Sequence, residues 1–179
     1  MFIEEKLDKS DNITKAKKTY NKLIKQGKAF AWYSSKQLAK ILLEEEKKVE
    51  ALKLVSDAYD SLVVKDIYET FDYAEFLKNN EKFKESIIFY SKIINEIKKD
   101  HPLYAEATDG RGIAYERIGE WDKAEKDLLA SLEVNPDQAY VINYLAYSWI
   151  EQGIKIEKSL KMLEKANKLR SNDPYIIDS

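Results

Sequence analysis

Small residues recur along this chain at a spacing that few folds can use. Ala39, Ala74, Gly112 and Ala146 are separated by 35, 38 and 34 positions. Each opens the same local series. Leu42, Ala51, Val55 and Ala58 follow Ala39, and Leu77, Ser86, Tyr90 and Ile93 follow Ala74 at the same offsets. Tyr115, Ala124, Leu128 and Ser131 follow Gly112 likewise. Trp149, Ser159, Leu163 and Ala166 follow Ala146, with one extra residue inserted before Ser159. Small side chains let adjacent helices approach closely, and the larger residues fill the gaps beside them. A unit of about 34 residues with one apolar face cannot bury that face alone, so units of this kind must stack. The competing reading is an ordinary antiparallel helical bundle; the repeated offsets favour stacked helix pairs.

The clearest unit runs from Tyr104 to Pro136. Gly119 breaks its first helix, Trp121 opens the second, and Pro136 closes it. The same reading places helix pairs at about 30–64, 67–100, 104–137 and 138–172, all in one domain spanning 1–179. A lone N-terminal helix is expected over 12–27. Asp11 or Asn12 caps it, Ile13, Ala16, Tyr20, Leu23 and Ile24 form its apolar face, and Gly27 ends it. The turn around Glu45 to Lys48 lacks a glycine, Asn79-Asn80 makes the next, and Gly153 the last. Asp173 and Pro174 read as the cap and first turn of a further helix over 173–179.

With five Gly and three Pro in 179 residues, few turns can demand positive φ, which favours helices over many short strands. The expected fold is therefore all-α. A net charge of −2 gives no general attraction to nucleic acid or anionic lipid. The Lys-rich first helix carries only Tyr20 as a stacking partner, and elsewhere Lys alternates with acid, so a solvated charge-laced face is the better reading. No apolar run approaches the roughly 18 residues of a membrane span. Neither nucleic acid nor membrane insertion is expected.

Catalytic chemistry finds little support. The single His101 sits in Asp100-His101-Pro102, near a helix start, and without Cys a zinc site would need carboxylates alone. Gly110-Arg111-Gly112 follows no strand and lies within a helical pattern, so it is not a phosphate loop. Ser34-Ser35 and Ser56 have no neighbouring base. Glu44-Glu45-Glu46 reads as solvated surface, and Asp57, Asp60 and Asp66 lack the glycine and terminal glutamate of a calcium loop. No catalytic, cofactor-binding or metal-ligating residue is assigned, and no cofactor is expected.

Gly112, Tyr115, Ala124 and Pro136 fall in register with the tetratricopeptide (TPR) pattern of Gly-x2-Tyr, Ala-x3-Phe and Pro, with Leu128 in place of Phe. Residues 111–153 also resemble the C-terminal repeats of a group of bacterial multi-repeat TPR proteins. The resemblance implies a right-handed superhelical solenoid of antiparallel helix pairs, and a fragment of a longer repeat protein. It implies a non-enzymatic scaffold that binds a peptide or helix of a partner protein in a concave groove. The implied groove positions are Tyr33, Lys36 and Lys40; Tyr68, Phe71 and Glu75; Asp109, Ile113 and Glu116; and Tyr140, Asn143, Tyr147 and Ile150. The carboxylate clamp of chaperone-tail TPR domains is not present as a set, because Glu75, Asp109 and Glu116 stand among its positions. Two alternatives stay open. One is self-assembly through the last helix, which carries Leu160, Leu163 and Leu169; the other is a regulatory arm of an enzyme outside these residues. Nothing in the sequence fixes a compartment.

Overall fold

The structure is a computed structural model and describes residues 2–27 and 29–169. These form α1 (Phe2–Gln26), α2 (Ala29–Glu44), α3 (Lys48–Asp60), α4 (Ile67–Asn79), α5 (Phe83–Glu96), α6 (Leu103–Arg117), α7 (Trp121–Val134), α8 (Ala139–Glu151) and α9 (Ile156–Leu169), with no strand among the described residues. The chain divides into two compact units, Met1–Asn80 and Glu81–Ser179. The cap expected at Asp173 and the helix start at Tyr175–Ser179 lie outside the described residues.

The recurring small positions sit where helices meet. Ala39, Ala51, Ala74, Ser86, Ala124, Ser131, Ala146, Ser159 and Ala166 have no solvent exposure. Gly112 is tighter still: a Cβ there would lie 3.0 Å from Leu128 Cγ and 3.2 Å from the Ala124 carbonyl oxygen. Ser131 adds a polar tie, its hydroxyl donating to the Ala105 carbonyl at 3.0 Å while accepting from the Gln138 amide at 2.8 Å.

Only some of the inter-helix turns close on glycine. Gly119 has φ of +82°, and the residues in its register, Glu46 and Glu81, have φ of +62° and +66°. At Gly119 the helix closes through Glu120 N–H to Tyr115 O and Gly119 N–H to Glu116 O, both at 2.9 Å. At Glu46 the same closure is made by Lys47 N–H to Leu42 O and Glu46 N–H to Leu43 O. The left-handed closing residue is thus required by the geometry, and glutamate occupies it at a conformational cost. The last pair, with its extra residue, uses two such positions, Gly153 (+69°) and Lys155 (+51°).

In the first unit, the core is aromatic. Tyr59 and Tyr73 stack at 4.3 Å between centroids, Trp32 lies 5.9 Å and 6.4 Å from them, and the Tyr59 hydroxyl shares a 3.0 Å hydrogen bond with Thr70. Asp66 begins α4 by accepting from Tyr68 N–H and Glu69 N–H, while Glu69 accepts from Asp66 N–H. This reciprocal capping box satisfies donors that a helix start leaves open. One expectation is corrected here: α1 starts at Phe2, well before the cap expected at Asp11 or Asn12.

In the second unit, the core is mainly aliphatic: Ile113, Leu128, Val141 and Leu145 pack around fully buried Trp149. The Trp149 indole N–H donates to Glu125 at 2.7 Å, and the Lys155 and Lys158 ammonium groups lie 4.3 Å and 4.9 Å from its ring centroid. Arg111 reaches from α6 to Asp127 of α7 in two bonds, of 2.6 Å and 2.9 Å, and to Ser91 of α5 in a third at 3.1 Å. Arg111 therefore serves as a helix-to-helix tie. Its neighbour Gly110 accommodates Tyr90, whose ring carbon Cζ would lie 2.6 Å from a Cβ at that position. His101 ends in a local role too, its Nδ1 accepting from Leu103 N–H at 3.1 Å at the start of α6.

Candidate partner-binding face

In the second unit, α6 and α8 each present a row set by helical periodicity. Asp109, Ile113 and Glu116 recur at steps of four and three on α6; Tyr140, Asn143, Tyr147 and Ile150 recur at three, four and three on α8. The rows adjoin, because Tyr144 on α8 donates its hydroxyl to Glu116 Oε2 on α6 at 2.6 Å. Tyr140 and Tyr147 remain 49% and 36% exposed, and Asn143, Ile150, Asp109 and Glu116 are partly buried. Ile113 is different: at 7% exposure it packs within the core cluster, so its side chain holds α6 against the core instead of lining the surface.

Tyr144 was not among the positions expected from sequence. It is one residue past Asn143 and one turn beyond Tyr140, so it shares their face. Its ring lies 6.1 Å from that of Tyr140, with planes inclined at 44°. Burial, and then the Glu116 carboxylate beside it, raise the Tyr144 phenol pKa well above its ordinary value. Glu116 also faces the Arg117 guanidinium, with Nε at 3.5 Å. The two inclined rings thus lie beside a carboxylate on adjoining helices.

In the first unit, the equivalent rows lie on α2 and α4. Tyr33 and Lys40 are exposed, as is Tyr68, while Phe71 and Glu75 are partly buried. Lys36 binds Asp72 across the two helices and lies 5.1 Å from the Trp32 ring centroid. Glu75 is held by Lys78 at 2.7 Å on its own helix. The expected positions thus fall on α2 and α4 in the first unit and on α6 and α8 in the second, with Ile113 turned into the core.

Comparison with solved structures gives a fold likeness over nearly the whole chain. The structure described as "MamA RS-1 ArsTM double mutant" superposes with a TM-score of 0.69 at 13% identity, covering 96% of this chain and 93% of that one. The structure described as "YrrB: a TPR protein with an unusual peptide-binding site" gives 0.65 at 19% identity, covering 96% and 84%. The fold is that of the tetratricopeptide-repeat family. A curated relative, the "TPR repeat-containing protein PA4667" of Pseudomonas aeruginosa, is 28% identical over 106 residues. That match takes in 59% of this chain and spans 17% of the relative's length. No family model matches the chain. On α6, Gly112 lies against Leu128 and the Ala124 carbonyl, while Asp109 and Glu116 are partly buried. Among the described residues no cluster of His, Asp or Glu is arranged to hold a metal ion, and no helix is long and apolar enough to cross a membrane.

Proposed function

We propose that this chain is a non-enzymatic TPR scaffold segment that docks a peptide or helix of a partner protein on the α6–α8 face of its second unit. The observation that carries this reading is the Tyr144–Glu116 bond, which fixes two helix rows side by side while Tyr140 and Tyr147 stay exposed. A tyrosine row on rigid helices offers a large contact area at low entropic cost, and Asn143 can bond an extended backbone as donor and acceptor. The peptide-binding site named for YrrB is consistent with such a use of the fold. The test is capture from source-cell lysate by the native chain and by a Tyr140→Ala, Tyr147→Ala double variant of equal helicity and melting. A protein retained by the first and lost by the second supports the face; equal retention by both removes it.

A second reading, self-assembly, draws on α9. Ile156 and Leu160 are one turn apart and both exposed, with partly buried Leu163 in the same stripe, whereas Leu169 lies on the opposite side of the helix. Sedimentation of the native chain as a concentration-dependent oligomer, abolished by Leu160→Glu, would favour this reading.

A further inference from the structure

The charge of the α6–α8 face narrows its ligand. Glu106 and Asp109 precede Glu116 in one α6 stripe, and Glu151 follows Tyr147 by one turn on α8. Arg117 stands against these carboxylates, already beside Glu116. Two cations of α6 and α7 are engaged away from this row: Arg111 and Lys123 lie over the Tyr115 ring at 5.9 Å and 5.4 Å, and Arg111 is tied to Asp127. An acidic face with two inclined tyrosine rings has a definite chemical complement. A cation within about 6 Å of a ring centroid is attracted by the ring, and a carboxylate beside it supplies a charge-assisted hydrogen bond. Tyr144 takes one acceptor position of Glu116, and an ionised carboxylate offers about four.

Resting on the docking face proposed above, we infer that its ligand is an extended segment bearing lysine or arginine, whose cation docks beside Glu116 against the Tyr140 and Tyr144 rings. An acidic segment is repelled by the same carboxylates, and a purely apolar one desolvates them without a compensating charge.

The experiment is selection from a library of randomised ten-residue peptides on the full chain at physiological salt. Parallel selections use a Glu116→Gln, Asp109→Asn variant and the Tyr140→Ala, Tyr147→Ala variant, each first matched to the native chain in helicity and melting. The expected pool is enriched in Lys and Arg, and individual peptides from it bind the amide variant about tenfold more weakly or worse. A native pool without basic enrichment, or one that binds the amide variant equally well, overturns the inference while leaving the face intact if the tyrosine variant loses the pool. A pool retained in full by the tyrosine variant, or no pool at all, overturns the docking face itself and the inference with it.

Discussion

The two units solve the same geometrical problem with opposite chemistry. In the first, Lys36 of α2 meets Asp72 of α4, and the exposed row around them holds Tyr33, Lys40 and Tyr68. In the second, Tyr144 of α8 meets Glu116 of α6 amid further carboxylates. One link is an ion pair open to solvent, the other a phenol-to-carboxylate bond that is partly buried. Beneath them lie an aromatic stack and an aliphatic cluster, respectively. The repeat therefore constrains the backbone and the small contact positions, and leaves both the core filling and the face chemistry to vary.

The largest test of this contrast is Arg111→Ala. It strands Asp127, which is 6% exposed, without its guanidinium partner. Breaking a buried pair from one side costs about 3 kcal/mol or more. Hydrogen exchange should show the loss in peptides from the second unit, with little change in the first. Gly110→Ala comes next. Tyr90 is fully buried, so its ring has little room to yield, and overpacking of this kind costs roughly 1–3 kcal/mol, read from the shift in the urea midpoint.

Tyr144→Phe should cost about 1 kcal/mol at neutral pH through the lost bond to Glu116. Because the folded-state pKa of Tyr144 is raised, its contribution is fully present below the ordinary phenol value of about 10 and is lost as the pH climbs beyond it. The stability gap between native and Tyr144→Phe proteins should then narrow in alkaline melts. Lys36→Ala, by contrast, should cost less than about 1 kcal/mol and depend on salt, since the pair it breaks is solvent-exposed. If the two substitutions cost the same and respond alike to salt, the chemical distinction between the units collapses. At the small end, Glu46→Gly should leave stability unchanged or raise it by up to about 1 kcal/mol, by relieving the left-handed backbone.

Much of the architecture was legible because small residues at fixed offsets have one use in helical repeats. Ala39, Ala74, Gly112 and Ala146 all lie at buried helix contacts, and Ala51, Ser86, Ala124 and Ser159 on the paired helices are buried with them. The turns were less legible, since Glu46 and Glu81 adopt a conformation that sequence reasoning reserves for glycine or asparagine. The early start of α1 was missed for another reason. Residues 2–11 are mostly Glu, Lys and Asp, with only Phe2, Ile3 and Leu7 apolar, and helix propensity leaves no periodic mark. At the candidate site, the α8 positions came only as what the TPR resemblance implies, and that resemblance does not include Tyr144, which shares their face. Ile113 was the converse case: its place in the α6 row did not disclose that it turns into the core.

Trp149 offers a further use. Its indole is fully buried, its N–H is held by Glu125 on α7, and the ammonium groups of Lys155, just before α9, and Lys158, in its first turn, crowd its ring. Its emission colour is consequently set by charges that belong to a neighbouring helix. With Trp32 and Trp121 replaced by phenylalanine, the remaining fluorescence becomes an intrinsic optical gauge of whether α9 is seated on α8, readable in real time without a label.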